Sequence, residues 1–149
     1  MTLFVDTNVF VYARDSSEPE KQRAASRWLE VLWRSRQGRL SAQVLHEYYV
    51  IVTAKLDPGL DPDVARRDIR ALLAWRPLPL DGALAEEAWA IQDEAGFAFW
   101  DALIVAAARR TGCSHLLTED LQDGQRAGGV QILDPFLHPP ESVPLDGAG

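Results

Sequence analysis

The sequence contains few of the residues that cross-link small folds through disulfides or bind zinc: its 149 residues include one cysteine and three histidines. Cys113 is alone and cannot form an internal disulfide, and the histidines do not stand at zinc-ligand spacing. The sequence therefore excludes a disulfide scaffold and a Cys/His zinc site. A single thiol is consistent with a reducing compartment.

Long apolar runs are also missing. No stretch of about 18 uncharged apolar residues is present, as a membrane-spanning helix would require. The apolar N-terminal segment contains Asp6 and has neither the basic region nor the long apolar region of a signal peptide. We therefore expect a cytoplasmic protein that does not enter the membrane.

The usual nucleophile and nucleotide-binding motifs are absent from the sequence. There is no G-x-S-x-G elbow, no Walker glycine loop and no dinucleotide glycine pattern. The sequence therefore favours chemistry that needs no side-chain nucleophile.

Positive charge is scarce, with 15 Lys and Arg against 22 Asp and Glu and a formal net charge of −7. Such acidity argues against phosphate binding through clustered basic residues alone. The charge is uneven, however, because residues 127–149 carry three acids and no Lys or Arg, while residues 14–39 hold seven basic and four acidic residues. Without 127–149 the formal charge is −4, which two divalent cations would cancel.

Short apolar runs alternate with helical segments, which predicts an α/β domain with a mainly parallel sheet of about four to five strands flanked by helices. The predicted strands are the run before Asp6, part of GRLSAQ, CSHLL, VQIL and a strand-like connection around 77–79. Helices are predicted over 19–36, 42–56, 62–75, 82–95 and 100–110. The GQRAGG segment is predicted to be a link between two strands. We expect one domain over residues 1–136 and a flexible, Pro/Gly-rich C-terminal tail over 137–149.

Four acids stand where a packed α/β protein has little structural use for them. Asp6 ends the first strand and Asp120 follows CSHLL, and the carboxyl ends of parallel strands border the ligand crevice of such folds. Glu47 lies inside a helix, and Asp101 opens an apolar one. Each has an alternative interpretation: Asp6 as a helix N-cap, Asp101 as a helix-dipole carboxylate, Glu47 as a surface residue, and Asp120 as a turn residue beside Gly124.

If these acids lie close together in the fold, their mutual repulsion determines what else the site must contain. Two unit charges about 4 Å apart repel by roughly 4 kcal/mol at an effective dielectric near 20, so the acids must protonate, spread or bind a cation. An all-carboxylate set favours Mg²⁺ or Mn²⁺ over zinc. Such a site suits phosphodiester hydrolysis by a metal-activated water.

A phosphatase with a strand-terminal Asp nucleophile is an alternative for Asp6. Phosphatases of the haloacid dehalogenase type carry a second Asp two positions later. This chain has Asn8 there, which counts against that class.

Several segments together resemble one known family, the PIN-domain ribonucleases, and particularly the VapC-type toxins of bacterial toxin–antitoxin pairs. The resemblance spans residues 3 to about 136. It rests on V-D-T-N at 5–8, the helical Glu47, F-W-D-A-L-I-V-A-A-A at 99–108, and L-L-T-E-D ending at Asp120. The first and third segments are specific in combination, whereas Glu47 is placed by spacing alone.

The resemblance implies a function and a site. Asp6, Glu47, Asp101 and Asp120 would form an acidic Mg²⁺ or Mn²⁺ site, with Thr7, Asn8 and Thr118 as supporting polar groups. Asp123 is a second candidate for the fourth acid, and Asp120 is preferred because it fits a T-x-D pattern. The resemblance further implies endoribonuclease activity on structured RNA, a homodimer and a small cognate antitoxin.

The leading hypothesis is therefore a metal-dependent endoribonuclease toxin. A catalytically inactive PIN-like interaction module is the alternative from another class, and it predicts negligible Mn²⁺ affinity. A structure-specific DNA nuclease would share the metal chemistry, and parallel assays on RNA and DNA would distinguish it. The five tryptophans are interpreted as core, dimer or antitoxin contacts, with base stacking open to an exposed one.

Overall fold

The computed structural model describes residues 1–145, and these form five short strands and six α-helices. The strands are β1 (Leu3–Val5), β2 (Gly38–Arg39), β3 (His115–Leu117), β4 (Arg126–Ala127) and β5 (Val130–Leu133). The helices are α1 (Thr7–Tyr12), α2 (Pro19–Ser35), α3 (Ala42–Ala54), α4 (Pro62–Leu72), α5 (Gly82–Ala95) and α6 (Phe99–Arg110), with 3-10 turns at Leu73–Trp75 and Pro140–Ser142.

The five strands form one sheet in the order β2-β1-β3-β5-β4. The pairs β1–β2, β1–β3 and β3–β5 are parallel, and only the edge strand β4 pairs antiparallel, with β5. The predicted α/β class and mainly parallel sheet are thus confirmed. Parallel strands are covered on both faces by helices, which explains why β1 is buried throughout.

The register of β1 and β3 determines where the first acid lies. Val5 pairs with Leu117, so the residues that follow, Asp6 and Thr118, leave the sheet side by side. The amide of Asp6 still donates to the carbonyl of Leu117 at 3.0 Å, which extends the ladder by one residue. Both polar residues therefore emerge at the carboxyl edge of the sheet.

Helix α6 is the central helix, as its apolar sequence predicts. Its residues 102–108 are all buried, and it packs against α5 and the sheet. A helix that is apolar all round has no solvent face, so its one acid near the start, Asp101, must lie at an opening of the core. None of the helices described in residues 1–145 is long and apolar enough to cross a membrane.

The link predicted for GQRAGG differs from the structure, because part of it forms β4. Arg126–Ala127 and β5 make a tight hairpin through Gly128 and Gly129, whose φ values are 57° and 80°. Positive φ at both turn residues suits glycine and the two-residue turns that join twisted strands. The predicted helix 62–75 also differs, since the α-helix ends at Leu72 and continues as a 3-10 turn.

The described part of the predicted flexible tail, residues 137–145, contacts the domain at a few positions, although several of its residues are exposed. The buried indole of Trp28 donates from Nε1 to the carbonyls of Pro135 (3.1 Å) and His138 (2.9 Å). Pro140 and Leu145 are buried. Prolines lose little conformational entropy on packing, so a proline-rich segment can be held by a few contacts. The predicted tail residues 146–149 lie outside the described residues.

Replacing Trp28 by Phe tests whether this segment is held. The substitution removes the donor shared by two carbonyls, so the free energy of unfolding measured in urea should fall by about 1–3 kcal/mol. The same substitution at Trp89, which is 53% exposed, should change it by less than about 0.5 kcal/mol. Equal effects at both positions would contradict the packing described here.

Candidate active site

A cavity of about 340 Å³ opens at the carboxyl edge of β1 and β3. All four predicted site acids line it, together with two further acids. The six are Asp6, Asp15, Glu47, Asp101, Glu119 and Asp120. Among residues 1–145, no Lys, Arg or His lines the cavity, and of its six acids only Glu119 pairs with a basic side chain, that of Lys21, so most of the negative charge at the wall is not balanced.

Asp6 is the most buried of these acids, with 7% of its surface exposed. Its carboxylate accepts hydrogen bonds from the amide of Thr7 at 2.7 Å and the hydroxyl of Thr118 at 2.8 Å. Burial raises the pKa of Asp6 from its ordinary value of 3.8 to about 7; the two hydrogen bonds oppose the shift, and the charges of Asp120 and Glu47 add to it. Asp6 is also the N-cap of α1, as the alternative interpretation of this residue predicts.

Thr118 connects the acids that follow β1 and β3. Its fully buried hydroxyl donates to Asp6 and accepts from the side-chain amide of Asn8 (3.0 Å) and the backbone amide of Asp120 (3.1 Å). The Asn8 amide also lies 3.1 Å from Oδ2 of Asp120. Asn8 and Thr118 therefore fix the separation of two carboxylates that would otherwise repel.

Glu47 reaches the same cavity from α3. Thr7 Oγ1 donates to its Oε2 and Gln43 Nε2 to its Oε1, each at 2.7 Å. Both carboxylate oxygens are therefore held by protein donors. The structure thus places Glu47 beside the other acids and not on an isolated surface.

Asp101 lies in the first turn of α6 and is half-buried at the cavity wall. Burial raises its pKa, and the charges of Asp120 and Glu47 add to that shift. No side chain within residues 1–145 donates a hydrogen bond to it, so its carboxylate faces the cavity without a protein partner. The α6 dipole is the remaining favourable contribution, as the helix-dipole interpretation predicts.

Asp123, the alternative fourth acid, does not belong to this cavity. Its Oδ1 accepts from the amide of Asp134 at 2.9 Å, and its Oδ2 lies 2.8 Å from Nε2 of His138. These two hydrogen bonds lower the pKa of Asp123. Asp123 is not among the residues that line the cavity, and its carboxylate contacts the segment after β5, whereas Asp120 lines the cavity with the other three acids. The assignment of Asp120 as the fourth acid stays a prediction.

Several cavity residues were missed in the sequence. They are Tyr12, Asp15, Gln43 and Glu119. Gln43 stands four residues before Glu47, a spacing that places both on one face of a helix, so a signal for it existed. Glu119 pairs with Lys21 at 2.8 Å, a contact across 98 residues that no local pattern shows.

The donor set of the cavity is chemically suited to a hard divalent cation, since its charged groups are all carboxylates. The acids do not form a closed cage, however: within residues 1–145, no three His, Cys, Asp or Glu side chains are arranged to hold a metal ion together. Hydrogen bonds hold Asp6, Glu47 and Asp120 to the protein, which keeps the like charges apart. Mg²⁺ retains several waters and takes few carboxylates, so an open set fits it better than a cage.

Three solved structures of bacterial proteins have a similar fold. A toxin–antitoxin complex from Klebsiella pneumoniae superposes with a TM-score of 0.65 at 22% identity, covering 91% of this chain and 98% of that one. VapBC2 from Rickettsia felis, bound to a promoter DNA fragment, gives 0.59 at 16% identity over 89% and 97%. Mycobacterium tuberculosis VapC20, a toxin that cleaves the sarcin–ricin loop, gives 0.56 at 24% over 87% and 99%.

At these identities the solved structures establish similarity of fold. Comparison with curated proteins gives no match. The sequence pattern of the PIN domain matches residues 3–127, which is most of the chain. The α/β sheet, the acids at its carboxyl edge and this match lead to one conclusion: the chain belongs to the PIN domain family.

Proposed function

We propose that this protein is a metal-dependent endoribonuclease that acts as the toxin of a toxin–antitoxin pair. The observation that carries the proposal is the convergence of Asp6, Glu47, Asp101 and Asp120 on one cavity of a PIN domain, with no basic residue among the described residues that line it. Such a cavity repels a phosphodiester unless a cation is present. A cation-dependent hydrolase explains this electrostatic arrangement.

Mg²⁺ or Mn²⁺ would bind among the four acids through a few of their carboxylates and several waters. Asp101 is the most available because no described side chain donates to it. When bound, such a cation would polarise a phosphate and lower the pKa of a nearby water, so that the water could lose a proton and attack the phosphorus. Thr7, Asn8 and Thr118 keep the carboxylates oriented. Asp6, whose pKa is raised to about 7, would release its proton when the cation binds.

The proposed substrate is RNA and the proposed partners are a cognate antitoxin and a second copy of the chain. One protein of similar fold is a toxin that cleaves the sarcin–ricin loop, and two others were solved as toxin–antitoxin complexes. By extension, the substrate here would be a structured RNA, and the antitoxin would cover the acidic cavity. The cytoplasm is the proposed location, where the buried thiol of Cys113 would stay reduced.

Substitution of the acids tests the catalytic proposal. Asp6→Asn and Asp101→Asn should each lower Mg²⁺-dependent cleavage of structured RNA by more than roughly 100-fold. Loss of a residue that only hydrogen-bonds to a metal ligand typically costs roughly 10- to 100-fold, and loss of a ligand itself should cost more. The matched control is Asp63→Asn on α4, whose side chain is 85% exposed; it should cleave as the unaltered chain does. Circular dichroism should show that all three variants fold.

Parallel measurements separate the alternatives. Cleavage of DNA but not RNA would favour the DNA nuclease, and negligible Mn²⁺ affinity by calorimetry would favour the interaction module. Full RNA cleavage by both Asp variants would reject the site.

Asp120→Asn and Asp123→Asn distinguish the two candidates for the fourth acid. Loss of the Asp120 carboxylate should lower cleavage as strongly as loss of Asp101, because Asp120 lines the cavity. Loss of the Asp123 carboxylate should instead lower the midpoint of thermal unfolding and retain cleavage well below that midpoint, since Asp123 contacts His138 and Asp134. The reverse pattern would contradict the assignment of Asp120.

The raised pKa of Asp6 predicts a pH dependence of stability. Between its ordinary value of 3.8 and about 7, the folded chain holds this proton and the unfolded chain does not. The free energy of unfolding of the metal-free protein should therefore fall as pH rises across that interval. Urea titrations should show a shallower decline for Asp6→Asn; an identical decline would show that Asp6 does not titrate in this range.

A further inference from the structure

Gln43 lies in the first turn of α3 and is 95% buried beside the acidic cavity. Its side-chain amide donates from Nε2 to Glu47 Oε1 at 2.7 Å and to the carbonyl of Trp100 at 3.3 Å. One amide group therefore links an acid on α3 to the first turn of α6. Asp101 is the next residue after Trp100, so this link positions two of the four acids relative to each other.

The hydrogen bonds determine how the amide is oriented. Its NH₂ group faces two acceptors, the Glu47 carboxylate and a backbone carbonyl. Turning the amide over would place its carbonyl oxygen against both and lose both bonds. Together with Thr7, which donates to the other oxygen of Glu47 at 2.7 Å, Gln43 leaves that carboxylate a single orientation.

The other end of the amide is unsatisfied. Oε1 of Gln43 is buried and has no hydrogen-bond partner among the described residues. A buried acceptor without a donor lowers stability, and an apolar side chain of similar length would avoid that loss. Packing alone therefore does not account for a glutamine here, whereas its contacts with Glu47 and Trp100 do.

We propose that Gln43 is a positioning residue that holds Glu47 and the first turn of α6 in the arrangement that binds the divalent cation. The inference rests on the proposed function, because it assigns Gln43 a role toward the cation that the four acids would hold. It adds Gln43 to the three polar residues that support the four acids, and Gln43 acts through Glu47 and Asp101 and not by contact with the substrate.

Gln43→Met tests this role because methionine has similar length and no donor. Calorimetry with Mn²⁺ should give an affinity at least about 10-fold lower than that of the unaltered chain. The metal-free midpoint of thermal unfolding should change little, because the loss of two hydrogen bonds is offset by removal of the unsatisfied Oε1. In RNA cleavage at saturating Mn²⁺, kcat should fall and KM should stay within about twofold, because the cation that attracts the phosphate is then bound in both proteins. Gln43→Asn, whose amide is one methylene shorter and cannot reach both acceptors, should also lower Mn²⁺ affinity and serves if the methionine variant does not fold.

The matched control is Gln92→Met on α5. Gln92 also donates from Nε2 to a backbone carbonyl, that of Phe97 at 3.1 Å, but does not line the cavity. Its Mn²⁺ affinity should equal that of the unaltered chain. A drop as large as in Gln43→Met would overturn the inference, because the effect would then not be specific to the cavity.

Other outcomes separate the inference from the function on which it rests. If the unaltered chain binds no Mn²⁺, both fail. If it binds Mn²⁺ and cleaves RNA, and the Gln43 variants bind Mn²⁺ equally well, only the role of Gln43 is overturned. A loss of Mn²⁺ affinity accompanied by a lower metal-free unfolding midpoint in both variants would mean that Gln43 is a packing residue, which also overturns it.

Discussion

The parallel pairing of β1 with β3 is the constraint on which the rest of the site depends. Because Val5 lies beside Leu117, the chain leaves both strands at one edge, and Asp6 meets the hydroxyl of Thr118. A slip of one residue would turn each strand's side chains to the opposite face and separate this pair. The burial of β1 and β3 between helices resists such a slip, so the packing of the core also specifies the position of the first acid.

Burying Asp6 at that edge has an electrostatic cost that its neighbours only partly offset. Its pKa rises to about 7, mainly through desolvation and in part through the charges of Asp120 and Glu47, although two hydrogen bonds to the carboxylate oppose the shift. The hydrogen-bond donors at the cavity are uncharged hydroxyl and amide groups. They belong to Thr7, Asn8, Thr118 and Gln43. They separate and orient the carboxylates without neutralising them, which leaves the cavity with the charge that a cation requires.

Much of this arrangement could be predicted from sequence because it follows from strand ends. Asp6 and Asp120 stand directly after apolar runs, and the apolar α6 makes Asp101 conspicuous. The prediction of Glu47 rested only on its spacing within a helix. Gln43 was missed, although it stands four residues before Glu47 and therefore lies on the same helix face. Asp123 could not be separated from Asp120 by pattern, since its contact with His138 joins residues 15 apart in chain order. The packing of the proline-rich segment depends on Trp28, which is more than 100 residues away in the sequence. Strand β4 depends on a Gly-Gly turn, and the glycine-rich composition there is also typical of a loop.

The basic segment predicted over residues 14–39 contributes less to phosphate binding than its charge of +3 suggests. Arg14 pairs with Asp68, Lys21 with Glu119, Arg27 with Glu141 and Arg34 with Glu30, so four of its seven basic residues already contact carboxylates. Exposed pairs of this kind are weak and screened by salt, yet they reduce the field that a phosphate would meet. An acidic cavity behind such a surface offers a polynucleotide no net attraction by itself. In the proposed nuclease, the cation must therefore provide most of the attraction for the scissile phosphate, and substrate binding and catalysis then depend on the same carboxylates.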